Sequence, residues 1–320
     1  MYMLSLLSIL PFTAPACGSA QGGGEAPEAP KVYFVRDITP ENMVRLYEAL
    51  ERPATGKVAV KLSTGEPGGH NFLKPELIKD LVQKVDDTIV ECNTAYGGGR
   101  ASTENHLKAA ADHGFTAIAD VDIQDEEGSM ALPVAKGFRL KENYVGTHFA
   151  NYDSYLVLSH FKGHAMGGFG GSMKNIAIGC ADGREGKTQV HGVDVDHQPE
   201  DWNAWPGKEL LMENMAESAK ATIDFFGKHI VFINVMRRMS VDCDCAGLAA
   251  AEPTIPDIGI CASTDILAVD QACVDMVYSQ ESNHDLVERM ESRHGLHQLT
   301  AMRELKMGSD KYELISIDED

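Results

Sequence analysis

The stretch Tyr155-Leu-Val-Leu-Ser-His-Phe-Lys-Gly-His-Ala-Met-Gly-Gly-Phe-Gly-Gly-Ser-Met-Lys-Asn175 joins two kinds of pattern. Residues 155–159 are an apolar run of strand length. From Ser172 onward, Met173, Ile176 and Ile178 form the apolar face of a helix. A strand that feeds a helix through a glycine-rich turn is the repeating unit of a parallel α/β sheet. Working outward, apolar runs at 58–62, 88–92, 115–121, 229–234 and 258–262 read as further strands. Amphipathic segments at 75–85, 102–113, 209–226, 265–278 and 284–294 read as helices. Pro75 suits a first helical turn, and Ser102 and Thr103 are capping residues. The expected class is α/β: a largely parallel sheet, helices on both faces, and long irregular loops at the carboxyl edge. Residues 181–208, rich in Gly, Asp and His with little periodicity, are expected to be such a loop. Residues 31–320 are expected to form one domain.

Composition narrows the function. Lys and Arg number 28 against 48 Asp and Glu, a net charge of −20. A phosphate backbone is engaged mainly by Lys and Arg, and no dense basic patch offsets this acidity, so nucleic acid is excluded as a partner. With 43% hydrophobic and 24% charged residues, the composition is that of a folded globule. No apolar run approaches the ~20 residues of a membrane-spanning helix.

Residues 4–11 are a short apolar run, followed by Thr13-Ala-Pro-Ala-Cys17 and a Gly/Ala/Pro/Glu-rich stretch to Pro30. This resembles a bacterial lipoprotein signal and tether, with the lipid on Cys17, although the usual positive start is missing. It implies residence at the cell envelope, on the outer face of the inner membrane or at the outer membrane, with Cys17 the only membrane link. A cytoplasmic protein with a disordered extension is the alternative. The other six cysteines are too sparse for a disulfide framework. Cys261 and Cys273, in apolar surroundings, are expected to be buried. Cys243 and Cys245, in Val241-Asp-Cys-Asp-Cys245, combine two thiols with two carboxylates, and are expected either to ligate a metal or to form a short-loop disulfide.

Ligands in open α/β sheets gather beyond the carboxyl ends of the strands. Three unusual motifs follow strands here: Ser63-Thr-Gly-Glu-Pro-Gly-Gly-His70, Asn93-Thr-Ala-Tyr-Gly-Gly-Gly-Arg100, and the opening stretch. His160, Lys162, His164 and Lys174 are the expected catalytic groups. Lys61, Glu66, His70, Asn93, Gly167, Gly168, Gly170, Gly171 and Asn175 are the expected ligand or cofactor contacts. Glycines allow close backbone approach, and a helix beginning near Ser172 would offer unpaired N–H groups to an anion. The spacing is not that of a nucleotide-hydrolysing loop. His160, His164, Cys243 and Cys245 are the expected metal ligands.

Residues 31–320 resemble the bacterial domain-of-unknown-function family 362, whose members are often described as uncharacterised iron–sulfur centre proteins. The likeness rests on Lys61–His70, Glu91-Cys-Asn-Thr-Ala-Tyr-Gly-Gly98, Leu158–Asn175, Val241–Cys245 and Asp257-Ile-Gly-Ile-Cys-Ala-Ser-Thr-Asp265 through Asp270-Gln-Ala. Many relatives carry a Cys-x2-Cys-x2-Cys-x3-Cys insert; this chain does not, which leaves a transition metal or at most a single iron–sulfur cluster. The His-x3-His, glycine and lysine arrangement is also similar, at motif level alone, to that of nickel-pincer lactate racemases. The resulting expectation is a metal-dependent enzyme or metal-centre protein handling a small anionic ligand. An iron–sulfur or redox carrier using Cys243 and Cys245 is a second reading, and a non-catalytic envelope ligand-binding lipoprotein a third.

Overall fold

The computed structural model describes residues 28–86, 88–199, 201 and 204–318. The proposed signal and Cys17 lie outside them. The strands are β1 (Lys31–Val35), β2 (Val58–Lys61), β3 (Thr88–Glu91), β4 (Val121–Ile123), β5 (Ser129–Pro133), β6 (Glu142–Gly146), β7 (Ser154–His160), β8 (Lys162–His164), β9 (Gly168–Gly170), β10 (Ile230–Met236), β11 (Gly259–Ser263) and β12 (Glu313–Ser316). The helices are α1 (Pro40–Ala49), α2 (Pro75–Lys84), α3 (Thr103–Asp112), α4 (Ser172–Gly179), α5 (Glu185–Val190), α6 (Lys208–Phe226), α7 (Ile266–Tyr278), α8 (His284–Ser292) and α9 (His297–Glu304). Eight strands make one sheet in the order β12-β1-β11-β10-β7-β2-β3-β4. β11 alone runs antiparallel to its neighbours β1 and β10, so the sheet is largely parallel.

β7, at the centre, is buried along its whole length because helices cover both faces. Its alternate side chains serve two cores. Leu156 and Leu158 join Ile78, Leu81 and Met43 from α1 and α2. Tyr155 and Val157 join Ile176, Met215, Val269 and Met302 from α4, α6, α7 and α9. Pro75 opens α2, as its fixed φ favours. Ser102 is the N-cap of α3, but its side chain makes no capping bond. Asp265, by contrast, caps α7 by accepting from Ala268 N–H at 2.9 Å.

Two expectations about elements change. The run 115–121 is not a strand: Gly114, at φ 89°, ends α3, and Phe115 then turns in a short 3-10 segment to pack beside Phe72. The ladder begins only at Val121. The stretch 181–208 is not wholly irregular either. It holds α5, whose first turn is fixed by the Asp182 carboxylate accepting from the N–H groups of Arg184, Glu185 and Gly186. Among the described residues, no helix is long and apolar enough to cross a membrane.

Candidate functional site

A cavity of about 460 Å³ opens beyond the carboxyl ends of β2, β3, β7 and β10, walled by the segments that follow them. Five Lys or Arg side chains line it against three carboxylates, in a chain whose net charge is −20. The lining therefore holds more basic than acidic side chains.

The extended backbone from β7 into β8 has a side-chain period of two, which places His160, Lys162 and His164 on the cavity wall while Phe161 faces the core against Phe169. Gly163 makes this possible. Its N–H donates to Ser240 C=O at 2.8 Å, and a Cβ there would stand 2.2 Å from Val241 O. The 240–245 loop thereby lies directly against β8. Its Asp244 accepts from His160 Nδ1 at 2.9 Å, with Lys162 Nζ 3.0 Å from the other carboxylate oxygen, an ion pair set off the ideal hydrogen-bond line. Burial pushes the Asp244 carboxyl up, but His160 and Lys162 together hold it well below the usual carboxylate range. His160 Nε2 meets Arg237 C=O at 2.6 Å. Both ring nitrogens thus face acceptors. His160 braces the 240–245 loop against the end of β7, and it is not among the groups that converge with the cysteine pair.

His164 is different. Gly167 N–H donates to its Nδ1 at 2.9 Å, so the proton of the neutral ring sits on Nε2. Burial, and then the nearby Lys174 charge, hold its pKa well below the ordinary imidazole value.

At the β2–β3 end, Lys61 Nζ donates to Leu62 C=O at 2.5 Å and to Asn175 Oδ1 at 3.0 Å, and lies 3.8 Å from Glu91. Asn175 in turn donates to Lys61 C=O, Leu158 C=O and Ser159 Oγ, tying β2 to β7. Arg100 bridges Glu66 and Glu91 at 3.0 and 3.3 Å. Burial raises the Glu91 carboxyl, but Arg100 and Lys61 outweigh it and hold the group well below its ordinary value.

The glycine segment does not form the expected helix-terminus anion cradle. Gly168–Gly170 is instead strand β9 of a two-stranded ribbon with β8. The first N–H groups of α4, on Ser172 and Met173, donate to Asp270 at 2.8 and 2.9 Å. Asp270 already fills the anion position there. What α4 does deliver is Lys174, with its stem over Gly170: a Cβ on that glycine would stand 3.1 Å from Lys174 Cδ.

Of the expected residues, Lys61, His160, Lys162, His164, Gly170, Gly171, Lys174, Asn175, Cys243 and Cys245 line this one cavity. Glu66 stands behind it through Arg100. Asn93 turns to Thr103 and His106, and partly exposed His70 turns to Glu252 at 2.7 Å. Gly167 ends the turn before β9 and Gly168 opens that strand, and neither lines the cavity. Sequence reasoning left Arg100, Lys187 and His191 out of the site and took Asp244 only as a carboxylate flanking the two cysteines. Arg100 closes the Asn93 motif and Asp244 separates the two cysteines, so both carried a signal. Lys187 and His191 lie on and just after the short α5. Lys187 Nζ donates to Ala181 C=O at 2.5 Å. His191 donates Nδ1–H to Lys187 C=O at 2.6 Å, leaving an Nε2 lone pair, and burial lowers its pKa to about 4.

The family described as Domain of unknown function (DUF362) matches residues 58–275, which contain every cavity-lining side chain. The chain belongs to this family. No curated protein matches the chain. Among solved structures, a lactate racemase apoprotein from Thermoanaerobacterium thermosaccharolyticum aligns at 13% identity and a TM-score of 0.43, over 77% of this chain and 56% of that one. A protein from Thermotoga maritima aligns at 12% identity and a TM-score of 0.44, over 77% of this chain and 61% of its own. The DUF362 chain thus spans less than two thirds of either structure.

In this DUF362 chain, His164, Cys243 and Cys245 offer ligand atoms within 4.8 Å of one another. Cys243 and Cys245 are joined in a disulfide. The set fits one metal ion with an open fourth position once two changes occur: the pair is reduced, and His164 gives up either its Nε2 proton or its bond from Gly167. An ion so held would polarise an oxygen of a bound anion. Among the described residues, Cys92 lines the same cavity, its Sγ donating to Cys180 C=O, while Cys261 and Cys273 are buried around α7 beside Met276 and Asn234.

Proposed function

We propose that the chain is an enzyme acting on a small carboxylate anion in the cavity beyond β2, β3, β7 and β10, with one metal ion available to His164, Cys243 and Cys245 when the cysteine pair is reduced. The observation that carries this reading is the excess of basic over acidic side chains lining this cavity in an otherwise acidic protein. Lys162 shares Asp244 with the His160 ring, and Lys187 has no carboxylate within ion-pair distance among the described residues. An anion supplies the missing charge. Neutral His164 directs Nε2–H as a donor, and Lys174 adds an amine.

The test is a calorimetric titration of the full chain with oxamate, an unreactive carboxylate, alongside Lys162→Gln and Lys187→Gln variants. Saturable binding that weakens in both variants supports the reading; binding indifferent to both removes it.

A second reading, thiol–disulfide exchange, is favoured by the disulfide on the cavity wall. Mixed-disulfide trapping on a Cys245→Ser variant separates it from metal binding. The envelope location through Cys17 stays a proposal of its own, and intact-mass measurement on native membranes tests it.

A further inference from the structure

Four lysines line the cavity, and three are tied down. Lys61 is bonded to Leu62 C=O and Asn175, Lys162 is paired with Asp244, and Lys187 is bonded to Ala181 C=O. Lys174 has no hydrogen-bond or ion-pair partner among the described residues. Its backbone is held firmly, because Asp270 fixes the first turn of α4, and its stem passes over Gly170 with no side chain between.

We propose that Lys174 is a nucleophilic amine that forms an imine with a small 2-oxo acid bound in this cavity. This rests on the anion-site reading above and names the substrate class: a carboxylate to meet Lys162 and Lys187, and a carbonyl to meet Lys174. Burial, and next the Lys162 charge, lower the Lys174 pKa to about 7, so much of it is unprotonated amine at neutral pH. The amine lone pair attacks the carbonyl carbon, a C–N bond forms, and the C=O π electrons move to oxygen. The oxygen takes one proton from nitrogen and one from solvent and departs as water, leaving a protonated imine. No oxidant or reductant takes part. The iminium is an electron sink that makes proton removal or decarboxylation at the adjoining carbon easier.

The test is reductive trapping. The full chain is incubated at pH 7 with pyruvate or glyoxylate and cyanoborohydride, then weighed intact and peptide-mapped. The expected result is one adduct per chain, equal in mass to the oxo acid less one oxygen, on Lys174. It forms roughly 10-fold or more faster than on exposed lysines of ordinary pKa, and it is lost in Lys174→Arg. Circular dichroism and urea unfolding of parent and variant show that both are folded, and oxamate titrated into the parent shows that the anion site is open. Labelling spread over exposed lysines, or unchanged in Lys174→Arg, overturns the proposal. If oxamate binds but neither oxo acid is trapped, the imine falls and the anion site stands; if oxamate does not bind and nothing is trapped, both fall.

Discussion

His160 Nδ1 and Asp244 Oδ1 lie 2.9 Å apart across 84 residues of sequence, and this bond fixes the cysteine loop to the end of the central strand. Asp244→Asn leaves Lys162 and the His160 ring beside a neutral amide. A loss of about 3–5 kcal/mol is expected in denaturant unfolding, the usual consequence of breaking a buried pair from one side. The sign with pH follows. The folded Asp244 pKa is depressed, so its contribution is complete above the ordinary carboxylate pKa of about 4 and is lost as pH falls from there toward the folded value. Acid unfolding curves of parent and Asp244→Asn should converge below that point.

Asp270→Asn gives the capping test. One oxygen accepts from Ser172 N–H and Asn234, the other from Met173 N–H. An amide NH2 would face a donor on one side. The expected cost is about 1–3 kcal/mol, measured by urea unfolding, together with slower imine trapping at Lys174.

Lys174→Met removes a buried amine with no partner. Thermal stability at pH 7 should rise, by about 0.5–2 kcal/mol, while trapping disappears. A fall in stability would show that the amine has a structural partner.

Much of this site was legible because its signals are local. His160, Lys162 and His164 follow directly on an apolar strand, and Gly170 and Lys174 are four residues apart. The rest depends on long-range contacts. Asp270 reaches the start of α4 from 98 residues away, so the sequence left that helix terminus looking open to a ligand. His70 was drawn outward by Glu252, 182 residues away. Lys187 and His191 escaped notice because a six-residue helix shows too little periodicity to be recognised. The apolar run after Gly114 looked like a strand because periodicity does not distinguish ladder residues from Phe115 packed in the core.

Reduction should govern metal uptake. Protein kept anaerobic with a dithiol reductant is expected to bind about one zinc ion per chain by elemental analysis. Oxidised protein, and a Cys243→Ser/Cys245→Ser double variant, should bind none. Equal uptake by parent and double variant would remove the cysteines from the metal site.

The most direct measurement is a crystal structure of the full chain with oxamate. The anion is predicted in the cavity, its carboxylate within hydrogen-bond reach of Lys162 or Lys187 and its amide carbonyl facing Lys174. Oxamate found only on the outer surface, with the cavity holding nothing but solvent at saturating concentration, would contradict the account.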